Sequence, residues 1–258
     1  MFLPQRSANH QFADDATYKP PRRLYFARAA VEVFRITLPV TAYVLLTSIL
    51  VDWVTALRAR YSIGSVILSF PLLYVACAIA LCLFVVAAKW VLMGRYRSGE
   101  KPLWSAFVWF NELVTALHEH IANALLVETL TGTPYAAWFF RLMGSKIGAR
   151  VYLETTQFTE YDLIQIGDDA CINEDCTLQT HLFEDRVMKM STVSIGAHCT
   201  VGSVSVVLYD SKMEPGSYLE HLSLLAKGEV LPAASAWVGS PAQHAGHIHA
   251  QEQRKSAN

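Results

Sequence analysis

The sequence lacks the cysteine patterns of a disulfide-stabilised or zinc-binding protein. Its five cysteines include no CxxC pair and no metal-ligand spacing. Charged residues are also scarce, at 17% of the chain against roughly 25% in an ordinary soluble domain. The net charge of −1 argues against a nucleic acid or another polyanion as partner. We therefore expect reduced thiols in a cytoplasmic setting, no metal site and no nucleic-acid partner.

Two long apolar segments account for the scarcity of charge. Residues 36–57 contain one charged side chain, Asp52, and residues 61–88 contain none. Each segment exceeds the roughly 20 residues that cross a bilayer core, whereas two buried core helices would need a larger soluble shell. Residues 1–30 are polar and basic without the apolar core of a signal peptide. The sequence predicts a cytoplasmic segment there and a two-helix transmembrane hairpin over residues 31–90.

Basic residues predict the orientation of this hairpin in the inner membrane. The link Arg58-Ala59-Arg60 is so short that the outer ends of both spans lie on one side. Nine Lys and Arg residues flank those ends, five before and four after, against two in the link. The positive-inside rule then places both termini in the cytoplasm. Over residues 91–144, apolar residues and tryptophans at helical spacing predict amphipathic helices at the membrane interface.

After Gly144 the hydrophobic period becomes six residues. An apolar residue recurs at twelve positions, and the last seven, from Ile195 to Leu231, are strictly six apart. The position four residues later fits a tight inward corner in nine of the twelve repeats, including Cys176 and Cys199. At three repeats per coil, this pattern predicts a left-handed parallel β-helix over residues 145–242. The fold class is therefore α + β, with a disordered polar tail at residues 243–258.

Glycine follows the apolar position in four of these repeats, at Gly148, Gly167, Gly196 and Gly202. A glycine there relieves crowding between coils or permits left-handed backbone dihedrals at the corner, and the sequence leaves both explanations open.

One long interruption breaks the repeat. Leu178 and Ile195 are 17 residues apart, so residues 179–194 cannot all stay in register and part of them must leave the coil as a loop. This segment contains His181, which can act as a general base near neutral pH. Loops on rigid scaffolds often carry function. The alternative is a salt-bridged surface loop that joins subunits, and the residue types alone do not decide between the two.

The other polar residues of the loop have more than one possible role. Glu184 or Asp185 could orient the imidazole or hold a cationic substrate. Arg186 and Lys189 could pair with those carboxylates or with a pantetheine phosphate. The expected substrate-binding set comprises Gln179, Thr180, Arg186, Lys189, Glu160 and Tyr161.

Three strings carry a resemblance to a known family: RLMGSKIGARVYLETTQFTEYDL at 141–163, IGDDACINEDCTLQTHLFEDRVMKM at 166–190 and VVLYDSKMEPGSYLEHLSLLAKGEVLP at 206–232. Over about residues 20–242, the chain resembles the membrane-embedded C-terminal region of polylysine-synthetase-type nonribosomal peptide synthetases. The resemblance implies amide formation between an amino acid held as a phosphopantetheine thioester and an amine. It also implies that His181 is the base and that the acidic pair, Glu184 and Asp185, faces the amine.

The chain departs from that family in having one such domain rather than several in tandem, and no adenylation motif or carrier serine. The chain is then either a fragment or served by a carrier on another protein. We therefore expect no bound cofactor, an adenylation–carrier protein or domain as partner, and a homotrimer or a pseudo-trimer with related domains. Two alternatives stay open. The closing Val238-Gly239-Ser240-Pro241-Ala242 is similar to hexapeptide acyltransferases and favours O- or N-acetyl transfer from coenzyme A, while a non-catalytic membrane scaffold for a partner synthetase is the third hypothesis.

Overall fold

Two long helices form the N-terminal part of the fold. The computed structural model describes residues 20–247. Helix α1 spans Arg22–Arg58 and helix α2 spans Ile63–Leu92, and both are long and apolar enough to cross a membrane. The predicted boundary at residue 31 falls inside α1, because the strong helix formers in residues 22–30 extend the helix beyond the apolar span. Residues 1–19 of the predicted cytoplasmic segment lie outside the described residues.

A second helical layer separates this hairpin from the β-helix. Helix α3 (Ala106–Leu117) continues into a π-helical turn, His118–Asn123, and a 3₁₀ turn, Val127–Leu130, precedes helix α4 (Pro134–Met143). The side chains of Ser105 and Thr133 cap α3 and α4, and Gly144 ends α4 in a left-handed conformation.

The apolar face of α3 packs inside the protein, and its interfacial position stays a prediction. Its apolar face is buried against α1 and the rest of the protein, and Trp109 is only 4% exposed. An amphipathic helix can bury its apolar stripe against protein as well as in lipid headgroups, and periodicity does not distinguish the two. In α4, by contrast, Tyr135 and Trp138 are exposed and can meet a headgroup layer.

The remaining chain is mainly short strands. They are β1 (Gly99–Pro102), β2 (Lys146–Ile147), β3 (Tyr152–Leu153), β4 (Ile164–Ile166), β5 (Cys171–Ile172), β6 (Thr177–Gln179), β7 (His181–Glu184), β8 (Val187–Met190), β9 (Val193–Ile195), β10 (Thr200–Val201), β11 (Val206–Leu208), β12 (Ser211–Met213), β13 (Tyr218–Leu219), β14 (Leu224–Leu225), β15 (Val230–Leu231), β16 (Ser235–Val238) and β17 (Gln243–His247).

These strands confirm the predicted left-handed parallel β-helix. Its three faces are the parallel stacks β2-β4-β9-β12-β15, β3-β5-β10-β13-β16 and β6-β11-β14. The apolar repeat positions pair from coil to coil, as in the column Ile147, Ile166, Ile195, Met213 and Leu231, and all are buried. Stacking of equivalent side chains therefore gives one continuous apolar core along the solenoid.

Crowding, rather than backbone conformation, explains the repeat glycines. A Cβ on Gly196 would lie 2.8 Å from the backbone nitrogen of Pro215, and one on Gly202 would lie 2.5 Å from that of His221. Neither glycine has a positive φ. The left-handed corners are instead occupied by residues such as Asp169 and His198, at φ 56°.

The predicted interruption leaves the coil as a β-hairpin. Strands β7 and β8 pair in an antiparallel manner, and Asp185 and Arg186 form the connecting turn, both with positive φ as a tight hairpin turn requires. Strand β1, which the sequence does not predict, adds to β8 and covers its outer edge. The hairpin is thereby held by a segment that directly follows α2.

The predicted disorder from residue 243 is wrong for its first part. Residues 243–247 form β17, antiparallel to β16, because the last coil otherwise leaves an unpaired strand edge. Residues 248–258 lie outside the described part of the chain.

An ion pair fastens the end of α2 to the β-helix. Lys89 Nζ lies 2.6 Å from Asp162 Oδ2, and the Lys89 side chain is fully buried. The backbone N–H of Tyr96 donates to the same carboxylate oxygen at 3.1 Å. These contacts fix the helical hairpin relative to the segment that enters the candidate site.

Candidate active site

His181, the first residue of the β7–β8 hairpin, lies beside a buried carboxylate. Nδ1 of His181 is 2.8 Å from Oε2 of Glu160. The His181 side chain is 17% exposed, whereas that of Glu160 is 1% exposed. Since a carboxylate accepts the hydrogen bond, Nδ1 is the protonated nitrogen and Nε2 is the one that can take up a proton.

Glu160 is itself held by a chain of side-chain hydrogen bonds. Thr180 Oγ1 donates to Oε2 at 2.6 Å, and Asn111 Nδ2 donates to Oε1 at 2.7 Å. The Tyr96 hydroxyl in turn donates to Asn111 Oδ1 at 2.7 Å. Burial raises the pKa of Tyr96 well above its usual range, so the hydroxyl keeps its proton. Both carboxylate oxygens therefore accept hydrogen bonds, and this network fixes the orientation of the His181 ring.

His181 lines a cavity of about 740 Å³ that lies between α1, α3 and the hairpin. The Tyr43 hydroxyl closes one side by donating to the backbone oxygen of His120 at 2.7 Å. The walls include Arg35, Pro39, Val40 and Tyr43 from α1, Asn111, Glu112, Thr115 and Ala116 from α3, Glu119 and His120 from the π-helical turn, and Phe183 from the hairpin. The cavity volume lies in the range of small-molecule binding sites.

The charges around the cavity differ in how they are neutralised. Arg35 and Arg28 each approach Glu112 Oε2 at 3.5 Å, and both also contact Glu32. Burial raises the pKa of Glu112, while the two guanidinium groups oppose that shift. No hydrogen bond or ion pair within residues 20–247 engages the Glu119 carboxylate, although it lines the same cavity.

The predicted acidic pair does not contact the imidazole. Glu184 contacts Lys227 and lies 3.0 Å from Lys189. The pKa of Glu184 is lowered first by Lys227 and then by Lys189. Asp185 and Arg186 are exposed in the hairpin turn, at the far end of β7, about 13 Å from the level of His181. The carboxylate beside His181 is therefore that of Glu160.

Three residues of the predicted substrate-binding set, Thr180, Glu160 and Tyr161, are buried behind the cavity wall. Thr180 is fully buried and supports Glu160. Glu160 and Tyr161 are both 2% exposed, and Tyr161 packs against Phe140 rather than lining the cavity. Their burial favours a structural role behind the cavity wall, and substrate contact by these three stays a prediction. Gln179 is half-buried in β6, where its backbone is aligned with Leu208.

Several residues of the site have no clear mark in the sequence. Asn111 and Glu112 lie within an apolar helical pattern. The only signal for them in the sequence is that two adjacent polar residues interrupt this pattern. In the His118-Glu119-His120 stretch, His118 is buried among aromatic rings, and burial lowers its pKa to about 4. His120 is exposed and lines the cavity, so the two imidazoles lie on different surfaces.

Comparison with known proteins supports the resemblance predicted from the sequence. No protein-family model matches the chain. The chain is 36% identical over 242 residues to the delta-poly-L-ornithine synthetase of Acinetobacter baumannii, which confirms a similarity to a synthetase of the polyamino acid type. The match covers 94% of this chain and 18% of that protein, so the chain spans less than a fifth of its relative.

Solved structures of acetyltransferases are also similar. A maltose O-acetyltransferase from Clostridium difficile has a TM-score of 0.39 at 12% identity, over 47% of this chain and 82% of that one. A hexapeptide-repeat acetyltransferase from Vibrio cholerae has a TM-score of 0.38 at 13% identity, over 47% of this chain and 86% of that one.

Proposed function

We propose that this chain is a membrane-anchored acyltransferase that forms an amide between an aminoacyl thioester and an amine. The observation that carries the proposal is His181, oriented by the buried Glu160 and facing a cavity large enough for both reactants. The similarity to a synthetase whose product is an ornithine polymer supports amide formation as the reaction class.

The geometry supports general-base catalysis in a single transfer. The amine nitrogen attacks the thioester carbonyl carbon while Nε2 of His181 takes the proton from that nitrogen. A C–N bond forms and the C–S bond breaks, and the imidazolium returns the proton to the departing thiolate. The negative charge of Glu160 stabilises the imidazolium without taking up its proton. Such a base typically contributes about 10²–10⁴ in rate.

The donor in this proposal is the phosphopantetheine thioester of a carrier protein, supplied by a separate adenylation–carrier partner. The cavity wall on α1 runs from Arg35 to Tyr43, the first part of the apolar segment, next to the basic flank. This position supports a site at the cytoplasmic surface of the inner membrane, where activated amino acids are available.

The test is single-turnover amide formation by the protein in lipid nanodiscs, with an aminoacyl-pantetheine donor and an amine acceptor. We expect His181→Ala to lower the rate at least about 100-fold. His198→Asn is the matched control, because His198 is 70% exposed on a β-helix corner and asparagine tolerates its left-handed backbone. An unchanged rate in His181→Ala would remove His181 from the mechanism.

Acetyl transfer from coenzyme A is the second candidate. The residues that motivate it, 238–242, close the last coil, where the backbone N–H of Ala242 donates to Leu224. Replacing the aminoacyl donor with acetyl-CoA in the same assay separates the two: turnover of acetyl-CoA alone would favour acetyl transfer, and turnover of neither would favour a scaffold.

A further inference from the structure

We infer that Lys89, Asp162 and Tyr96 are positioning residues for the proposed reaction. They hold the backbone of Glu160 in the conformation that directs its carboxylate at the imidazole of His181, so the last turn of α2 sets the orientation of the base. The inference rests on the proposed function for its effect on the rate. It goes beyond that function by giving a role in catalysis to three residues that do not line the cavity.

The backbone of Glu160 is in a left-handed conformation, with φ 30° and ψ 65°. A glutamate rarely adopts this conformation, because its Cβ crowds the backbone there, so neighbouring groups must hold it. The N–H of Leu163 donates to the backbone oxygen of Glu160 at 2.8 Å, and Ser145 Oγ donates to that of Tyr161 at 2.9 Å. The side chain that anchors this segment to the helices is that of Asp162, two residues after Glu160.

The Asp162 carboxylate is held mainly by buried groups. Lys89 Nζ lies 2.6 Å from Oδ2, and the N–H of Tyr96 donates to the same oxygen at 3.1 Å. The Lys89 side chain is fully buried, so water screens this pair weakly. Arg95 Nε approaches Oδ1 at 3.9 Å from an exposed side chain, so its charge is well screened. A Cβ on Gly144 would lie 2.6 Å from Oδ1, which shows how closely this segment packs on the end of α4.

Tyr96 joins the Asp162 anchor to Glu160 in a closed ring. Its N–H binds Asp162, and its hydroxyl donates to Asn111 Oδ1 at 2.7 Å. Asn111 Nδ2 then donates to Glu160 Oε1 at 2.7 Å. Glu160 is therefore held at two points, by its side chain through Asn111 and by its backbone through Asp162. Because Tyr96, Asn111 and Glu160 are buried, water does not readily replace a lost contact of this ring.

The ring should affect the rate of the reaction rather than the binding of substrate. Its outer members, Lys89, Asp162 and Tyr96, lie behind the cavity wall, so their loss leaves the lining side chains in place. A shift of Glu160 would weaken its hydrogen bond to Nδ1 of His181, and a misplacement of about 1 Å at a catalytic group can cost about 100-fold in rate. The inference therefore predicts a lower kcat with little change in KM.

Two variants break the ring without leaving an unpaired buried charge. Tyr96→Phe removes only the hydroxyl group. The double variant Lys89→Met with Asp162→Asn removes both charges, because the loss of one alone would leave the other buried and unpaired and would destabilise the fold. In steady-state amide formation in nanodiscs, we expect each to lower kcat at least about 10-fold while KM changes less than about twofold.

The chain offers a matched control for each variant. Tyr74→Phe also removes a bonded hydroxyl, since Tyr74 in α2 donates to the backbone oxygen of Leu125 at 3.1 Å, outside the ring. Arg150→Met with Asp169→Asn also removes an ion pair, one that joins two coils at an exposed corner of the β-helix. Both controls should change kcat by less than about twofold.

A spectroscopic measurement tests the position of the imidazole directly. In protein with ¹⁵N-labelled histidine, the Nδ1–H correlation that disappears in His181→Ala reports the hydrogen bond to Glu160. We expect this correlation to shift upfield or to be lost in both ring variants and to stay unchanged in both controls. A role in stability alone would leave it at its wild-type position in the folded variants.

The outcomes separate this inference from the proposed function. Wild-type kcat in both ring variants overturns the inference and leaves the proposed function intact. A raised KM with an unchanged His181 correlation also overturns it, because the residues would then act on substrate binding. If the wild type forms no amide, the proposed function fails, and the correlation alone decides the inference: its shift or loss in the ring variants supports positioning of His181, and its retention overturns it.

Discussion

Glu160 is the residue on which the orientation of His181 depends. Its two carboxylate oxygens accept from Asn111, Thr180 and His181, and the side chain is almost completely buried. All three partners approach as donors. Glutamine has the same shape but carries an NH₂ group in place of one oxygen. That NH₂ group would therefore face one of these donors instead of accepting its hydrogen bond.

Glu160→Gln should consequently lower kcat by about 100-fold or more while KM changes little. The variant removes the charge that stabilises the imidazolium and disturbs the Nδ1 hydrogen bond, but it leaves the cavity wall in place. The measurement is steady-state kinetics of amide formation in nanodiscs, with Glu160→Asp expected to recover part of kcat.

Glu184→Gln is the matched comparison, because it tests the carboxylate that the sequence places near His181. Glu184 is paired with Lys227 and Lys189, so we expect its loss to change kcat much less. A larger loss of kcat in Glu184→Gln than in Glu160→Gln would reverse the assignment.

The buried His118 should make the free energy of unfolding depend on pH. It lies among Phe139, Phe140 and Tyr161, and burial lowers its pKa to about 4. Between pH 4 and 6.5 the unfolded chain binds a proton that the folded chain does not, so stability is full above pH 6.5 and falls as the pH falls. From pH 6.5 to 5 the wild type should lose about 2 kcal/mol through this residue.

His118→Phe keeps an aromatic ring in the cluster and removes the proton site. Unfolding followed by denaturant in detergent, at pH 7 and pH 5, should therefore show a smaller acid destabilisation for the variant. Equal loss of stability in both proteins would mean that His118 does not carry the effect.

At the scale of secondary-structure elements, the β-helix shows which features a sequence can predict. The apolar and small positions recur locally, so the strands and their inward residues follow from counting along the chain. The hairpin follows from a break in that count. Strand β1 and the Glu160–His181 contact do not follow, because each joins residues from separate parts of the chain whose approach depends on the assembled fold.

The repeat glycines give a test of coil spacing. Gly196→Ala places a methyl group 2.8 Å from the backbone of the next coil, so we expect a loss of about 1–3 kcal/mol in the free energy of unfolding. Ala234→Gly is the opposite change at a left-handed corner, where φ is 52°, and it should alter stability by less than about 1 kcal/mol. Denaturant unfolding in detergent measures both, and equal effects would rule out crowding as the reason for the glycine.

At the scale of the whole molecule, the helical hairpin and the β-helix form the two sides of one site. Helix α1 supplies a wall of the cavity, and the buried pair Lys89–Asp162 joins the end of α2 to the segment next to Glu160. Composition predicts both halves, yet it does not predict that α3 packs on α1 and brings Asn111 and Glu119 to the cavity. Tertiary packing of amphipathic surfaces decides that, and periodicity alone does not specify the partner.

The orientation of this assembly is a further prediction. If the basic flanks face the cytoplasm, the link after α1 faces the periplasm and the β-helix faces the cytoplasm. In spheroplasts, a membrane-impermeant maleimide should label Arg60→Cys, in the exposed link, above the background of the unmodified chain. It should label Glu174→Cys, exposed on the β-helix, only after the membrane is permeabilised.

Labelling of Glu174→Cys in intact spheroplasts would place the cavity on the opposite side and separate it from cytoplasmic thioesters. The unmodified chain is a suitable control because its cysteines are poor targets: Cys176 and Cys199 are fully buried and Cys171 is half-buried. Burial also raises the pKa of Cys176 to about 11, so little thiolate is available to react with the reagent. The same labelling thus tests whether the donor can reach His181 from the cytoplasm, because the hairpin that bears His181 leaves the same β-helix as Glu174.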